Sequence, residues 1–552
     1  MAKYIWVSVI WIVILLVKIP RFSEFSGKLK SATSPKWKTW AELFYKSPYF
    51  FVIVILSVYE FLFDRVTPKD KLLLFSGLVY LVPILIFIIF RHFFNGKHDD
   101  LGTKHHIRGS SVSEETALTK ALLKCTDDRC LPITAKIKIP IHYETTHFFS
   151  IGRPGCGKSQ LFYRVIQKVI ERKDKAIIYD FKGDQVAKFF NPDKDLLFNP
   201  FDKRCVNWNI FNEIETQLDI RSIANSLIPI TGNDPYWSNA ARDVFAGILL
   251  ACFLAGKKTN EEIYQCCNMP AHDLSDFLSK YKGTETATKH LTQDKAGQSI
   301  LSVMGSSTQC FEYLRNLDGD FSIKKWVSDP EDRRTVFLTN YSEISDTIRP
   351  ILSLLIELAG KRVLSIPDDR QRRFFFFIDE FGTLNNLPTI PTMLTNGRSK
   401  GMSVWIALQD MGQIDKIYGK EISQTIINSC ATTFTFAAND PYTADYLSKK
   451  IGDREIRQTN VSESSSAQGA SQTTSQQTLN ERVVLPSQIM NLPNLVMLLK
   501  LPEYDTTPVW LDIVSIPDSQ ASYVPRDDIS LKTEPAEPEA TGRPPEVKRR
   551  SC

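Results

Sequence analysis

Residues Gly152-Arg153-Pro154-Gly155-Cys156-Gly157-Lys158-Ser159 limit most strongly what this chain can fold into. They fit the phosphate-binding loop pattern and stand between two different hydrophobic periodicities. Before them, His147-Phe148-Phe149-Ser150-Ile151 reads as a buried strand; after them, residues 160–171 place Leu161, Val165, Ile166, Val169 and Ile170 at helical spacing. A glycine-rich turn between strand and helix lets consecutive backbone N–H groups point at phosphate oxygens, at the helix end where the dipole is positive. In that setting Gly152, Arg153, Pro154, Gly155, Cys156 and Gly157 form the cradle, Lys158 brings a point charge, and the Ser159 hydroxyl is a ligand for Mg2+. ATP with Mg2+ is the expected occupant. Cys156, a thiol at a helix N-terminus beside Lys158, is expected to be more acidic than usual, so that oxidation or alkylation there would block nucleotide access.

A second signal lies far downstream. Phe374-Phe375-Phe376-Phe377-Ile378 is too apolar for a loop and ends in Asp379-Glu380, the form of a Walker B strand. At the carboxyl end of a central parallel strand, Asp379 is placed to hold magnesium and Glu380 to polarise the attacking water. The next strand, Met402-Ser403-Val404-Trp405-Ile406-Ala407-Leu408, ends in Gln409, which would share that edge and sense the γ-phosphate or the water. Lys175-Ala176-Ile177-Ile178-Tyr179-Asp180 closes a βαβ unit with the loop strand. Thr335-Val336-Phe337-Leu338-Thr339 and Thr433-Phe434-Thr435-Phe436-Ala437 add strands, with an apolar helix over 348–364 between them. The pattern predicts an α/β nucleotide fold.

Its 552 residues are too many for one core. Residues 140–212 and 326–516 read as two parts of the nucleotide-binding domain, separated by an all-helical insertion domain over 213–325. Residues 462–477, a Ser/Gln/Thr/Ala tract, are expected as a mobile loop, and 517–552, rich in Pro and charge, as a disordered tail. Ahead of a linker over 96–139, residues 1–95 hold three apolar runs, 4–17, 49–63 and 72–90, of which the third is long enough to cross a bilayer. Up to Arg108 there are 15 Lys+Arg against 7 Asp+Glu, so the net charge of +5 comes from this region and the remainder is slightly acidic. Lys18, Arg21, Lys28, Lys30, Lys36, Lys38 and Lys46 between the first two runs, against Glu24 and Glu42, put that loop and the nucleotide-binding body in the cytoplasm. The scattered cysteines lack metal-site spacing and read as reduced, structural thiols.

The order of parts carries a resemblance: apolar hairpin, P-loop, helical insertion, Asp379-Glu380-Phe381-Gly382, a strand ending in Gln409, and Ile414-Asp415-Lys416-Ile417-Tyr418-Gly419 beyond it. Asp234-Pro235-Tyr236-Trp237 before Ala240-Ala241-Arg242, and Val484-Leu485-Pro486-Ser487 before Ile489-Met490-Asn491-Leu492-Pro493, add to it. The chain resembles the type IV secretion coupling proteins, the TraD/TraG-type ATPases of bacterial conjugation, from Pro140 to about Ile516. Family members commonly have two N-terminal spans, one fewer than the apolar runs here.

The resemblance implies a RecA-like P-loop ATPase with two or three transmembrane helices in the bacterial inner membrane, forming a hexameric homo-oligomer. It implies as partners a relaxase or relaxosome, single-stranded DNA and components of a type IV secretion channel. In such a ring each nucleotide takes a basic residue from the neighbouring subunit. Arg398, in Gly397-Arg398-Ser399-Lys400-Gly401, is the candidate for that residue here. Three other readings differ in kind. A nucleotide-powered small-molecule transporter requires a Leu-Ser-Gly-Gly-Gln signature, which the chain lacks. An FtsK/HerA-like DNA translocase shares the core, and a cargo receptor would use the nucleotide only as an assembly switch.

Overall fold

Alternation along the strands divides the apolar residues between two cores, one on each face of a central sheet. Phe149, Ile177, Phe376 and Ile406 point into one; Phe148, Ile178, Phe377 and Trp405 point into the other. The computed structural model describes residues 104–529 apart from 123–126, 231–233, 293 and 467–468, so the expected membrane spans within 1–95 lie outside the described residues. The sheet strands are β1 (Phe148–Ile151), β2 (Lys175–Asp180), β3 (Leu196–Phe198), β4 (Val336–Thr339), β5 (Phe374–Ile378), β6 (Met402–Leu408), β7 (Thr432–Thr435), β8 (Val496–Lys500) and β9 (Thr507–Trp510). Their spatial order is β9-β8-β7-β1-β6-β5-β2-β4-β3. The seven strands from β7 to β3 are parallel, while β8 and β9 add antiparallel strands beside β7.

Buried on both faces, the parallel strands read as continuous apolar runs. Phe148 stacks on Trp405 with ring centroids 3.8 Å apart, and Trp405 lies 5.8 Å from Phe377, so one aromatic layer ties β1, β6 and β5 together. Helix α1 (Lys158–Glu171) buries Leu161, Phe162, Val165, Ile166 and Val169 against that layer. The short α2 (Asp184–Phe189) follows β2.

Between β3 and β4 the described elements are helical, including α3 (Tyr236–Leu254). That helix is long and apolar enough to cross a membrane by composition, but most of it is packed inside the body. Among the described residues the insertion shares one core with the sheet. Val244, Phe245 and Ile248 belong to the same apolar cluster as Phe149, Ile177 and Phe376 of the sheet. The joint is α4 (Ser345–Ser365), which is apolar on nearly every side and is packed accordingly.

Three further segments differ from expectation. Residues 462–477 pair in a hairpin of Asp453–Ser466 with Gly469–Arg482, in register from Asp453↔Arg482 to Ser466↔Gly469. Ser, Thr and Gln carry no apolar periodicity, yet a two-stranded ribbon satisfies its backbone without a core. Within the expected linker, strand Lys104–Gly109 pairs with the base of that hairpin, and Leu118, Leu122, Leu131, Ile133, Ile137 and Ile139 are buried beside α1. They are too widely spaced to show a period.

Residues 517–529 of the expected tail are fastened to the body. Ser519 N donates to Ala187 O at 2.7 Å, Tyr523 Oη donates to Phe201 O at 3.1 Å, and Arg526 Nη1 donates to Pro200 O at 2.7 Å and Tyr313 O at 2.9 Å. Arg526→Ala leaves both carbonyls without that donor and is expected to cost about 1–3 kcal/mol. Chemical denaturation of the variant would measure the loss, and a midpoint equal to the parent's would show that the strap is not held there.

Candidate active site

Parallel strands bring their carboxyl ends to one edge, and β6 lies between the loop strand β1 and the acidic strand β5. Gly152 N donates to Leu408 O at 3.2 Å and Arg153 N to Ala437 O at 2.6 Å, so the loop is fastened to the strand ends on both sides before it turns. Gly155 and Gly157 then adopt φ of 74° and 116°, which an L side chain rarely tolerates. A Cβ on Gly157 would stand 3.0 Å from the Leu495 side chain. No side chain caps α1, which leaves its first-turn amides to an incoming anion.

Lys158 is buried, and its Nζ donates to Gly152 O at 2.5 Å and to Arg153 O at 3.2 Å. The ammonium bridges the loop's own carbonyls, where phosphate oxygens can replace them. Ser159 is half-buried in the first turn of α1. Leu495 N donates to Cys156 O at 2.8 Å and Arg153 Nη2 to Asn494 Oδ1 at 3.0 Å, so residues 494–495 wall the outer side of the loop. This wall is not legible in the sequence, because Leu495 sits at a φ of 64° that no local pattern announces.

Asp379 and Glu380 leave β5 in different directions. Gln409 Nε2 donates to both Glu380 oxygens at 3.0 Å, which confirms that the two strand ends meet. Asp379 Oδ2 accepts from Gln185 Nε2 at 3.0 Å. Desolvation, followed by the charges of Asp180 and Glu380, pushes the Asp379 carboxyl up to about 7, while Lys158 and Lys182 pull it down less. Such a group is short of positive charge, and a divalent cation fits it. Lys158, Ser159, Asp379, Glu380 and Gln409 are therefore on one edge.

Arg398 is not there. It is exposed in the turn Gly397–Lys400 before the amino end of β6, near His147, at the opposite edge of the sheet. The expectation for Cys156 is reversed. Its side chain is buried, and desolvation raises the thiol despite the opposing pull of Lys158 and nearby amides. A dipole lowers a thiol pKa only where water or an anion-stabilising contact reaches the sulfur. Cys205, Cys252, Cys266, Cys267, Cys310 and Cys430 are free thiols, four of them buried.

The raised Asp379 carboxyl has a consequence for stability. Its folded pKa lies above the unfolded value, so the cost of ionising it is absent below about pH 4, grows with rising pH and is complete above about pH 7. Asp379→Asn should therefore raise the nucleotide-free melting temperature at pH 8 by roughly 1–2 °C, for about 1 kcal/mol after allowing for the partial exposure of the side chain. The gain should shrink toward pH 5. Melting curves at the two pH values check this, and a variant less stable at pH 8 would contradict it.

With the geometry in place, known proteins can be set beside it. The sequence profile of the family described as "Type IV secretion-system coupling protein DNA-binding domain" matches residues 132–512. The coupling protein TraD of Escherichia coli (strain K12) is 26% identical over 396 residues, covering 70% of this chain and 55% of TraD. The chain thus spans about half the length of that relative. Among solved structures, the plasmid coupling protein TrwB in complex with the non-hydrolysable ATP analogue ADPNP aligns with a TM-score of 0.67 and 27% identity, over 76% of this chain and 97% of that one. TrwB in complex with ADP and Mg2+ aligns with a TM-score of 0.66 and 26% identity, over 76% and 98%. A profile match over more than half of its length, around a P-loop joined to an acidic strand, makes this chain a member of the type IV secretion coupling protein family.

Proposed function

We propose that the chain is a RecA-like ATPase, anchored in the bacterial inner membrane by its N-terminal segment, that assembles as a hexamer. In this reading it uses ATP hydrolysis to pass a relaxase with its single-stranded DNA to a type IV secretion channel. The observation that carries the reading is the meeting of Lys158, Asp379, Glu380 and Gln409 at one sheet edge, in a chain whose family description names DNA binding. The TrwB complexes with ADPNP and with ADP and Mg2+ support ATP and Mg2+ as the ligands.

Magnesium-ATP, when bound, supplies the phosphoanhydride and the charge that makes its terminal phosphorus electrophilic. Lys158 Nζ would exchange its carbonyl partners for phosphate oxygens, and Ser159 Oγ and Asp379 would hold the cation. Glu380 accepts the proton of the attacking water at a carboxylate oxygen, and Gln409, bonded to both of those oxygens, fixes the direction in which they point. Arg398 acts on the nucleotide of the neighbouring subunit, a role supported by its exposure at the edge away from its own P-loop. Residues 140–212 and 326–516 carry the motor, 213–325 form the helical insertion domain, and 1–95 form the anchor.

Two measurements test the proposal. ATPase of the full chain should rise at least twofold with single-stranded DNA, and Lys158→Ala should lower kcat by about a hundredfold or more. A rate indifferent to DNA favours a cargo receptor with a nucleotide switch. Mixing Lys158→Ala subunits with Arg398→Ala subunits should restore part of the ATPase, because some interfaces then hold one intact loop and one intact arginine. Mixtures as inactive as either parent would remove Arg398 from the site.

A further inference from the structure

Gln185 is a polar side chain whose hydrogen bonding is left half complete. It is fully buried in the first turn of α2, and its Nε2 donates to Asp379 Oδ2 at 3.0 Å. Its Oε1, equally enclosed, has no hydrogen-bond partner among the described residues. A buried amide oxygen without a donor is costly, and native interiors rarely leave one so unless something absent supplies it.

The orphan oxygen is not the result of a loose side chain. Asp180, at the end of β2, turns its buried carboxylate onto the start of α2. Oδ1 accepts from Lys182 N at 3.2 Å and Gly183 N at 2.9 Å, while Oδ2 accepts from Gln185 N at 2.7 Å and Val186 N at 3.0 Å. The backbone of Gln185 is thereby tied to β2, the strand paired with β5, whose end carries Asp379. Rotation of the amide through 180° would set its oxygen against the Asp379 carboxylate, which repels it whenever that group is ionised. The two carboxylates beside it, Asp180 and Asp379, have only acceptors to offer when ionised. What the site lacks is a donor for this oxygen beside Asp379.

A magnesium ion keeps several waters when it binds beside phosphates, and each of those waters is a strong donor. We propose that Gln185 is a positioning residue for the divalent cation: Nε2 fixes the rotamer of Asp379, and Oε1 accepts a hydrogen bond from a water of the cation's hydration shell. The inference rests on the magnesium-ATP reading of the site and adds to it a residue outside both nucleotide motifs. Groups that orient a metal ligand typically change metal affinity by 10- to 100-fold when removed.

The test titrates Mg2+ into the full chain with a fluorescent ATP analogue and compares the midpoint with nucleotide affinity in EDTA. Gln185→Met keeps length and apolar bulk but neither donates nor accepts as an amide does. It should leave binding in EDTA unchanged and raise the Mg2+ midpoint about tenfold. Gln185→Glu keeps an oxygen acceptor but loses the Nε2 donor to Asp379, so its midpoint should also rise, by less than in Gln185→Met. Two results overturn the proposal: a parental midpoint in Gln185→Met, or an equal loss with and without Mg2+ in that variant. If Gln185→Met shows no cooperative melting, Gln185→Glu decides by the same two criteria. Nucleotide binding by the parent that is indifferent to Mg2+ would instead overturn the magnesium-ATP reading, a result separate from any failure of Gln185.

Discussion

A parallel sheet forces its strands to finish on the same side, and the site exists because β1, β6, β5 and β2 do so next to one another. The backbone beyond each strand has lost one pairing partner and must find another. Gly152 finds Leu408, Arg153 finds Ala437, and Asp379 N reaches Tyr179 O at 3.4 Å. Those bonds set where the P-loop opens and where the carboxylates emerge. The apolar layer of Phe148, Trp405 and Phe377 beneath them keeps the strands from sliding, since a shift of one residue would turn every ring to the other face.

How much of this is legible in the sequence depends on whether a residue announces itself through its neighbours along the chain. The P-loop does, because glycines, lysine and hydroxyl must be contiguous to surround a phosphate. Asp379 and Glu380 do, because five apolar residues precede them. Gln409 is readable as a strand end, and its bond to Glu380 follows from strand order. Gln185 and Asn494 are not readable, because each reaches the site from an element joined to it only by folding. Cys156 misleads for a related reason: position along a helix reveals the dipole but not the Phe436 and Gly152 packing that excludes water from the sulfur.

The same distinction applies to the fold. The parallel strands are evident from composition alone, since burial on both faces leaves little choice of residue. The hairpin at Asp453–Arg482 escapes because backbone pairing by itself holds it, and the segment 104–139 because its anchors are isolated apolar residues in a polar context. The helical insertion is recognisable as helical. Its continuity with the sheet through α4 is not, because a helix buried on every side has the same composition whether it lies within one domain or between two.

The strap formed by the last described residues touches a notable series of places in turn. Val514 N donates to Gln160 Oε1 at 2.7 Å one residue beyond the P-loop, Asp518 meets Lys188 Nζ at 2.6 Å on α2, and Arg526 reaches Tyr313 O in the helical insertion. Along its length it crosses the sheet edge that carries the nucleotide motifs, without a secondary structure of its own that could bend in its place. A chain pinned at intervals in this way behaves as a tie rod. Gln160, α2 and the helical insertion are thereby three anchorages of one covalent strand, and a load applied at any of them is shared with the others.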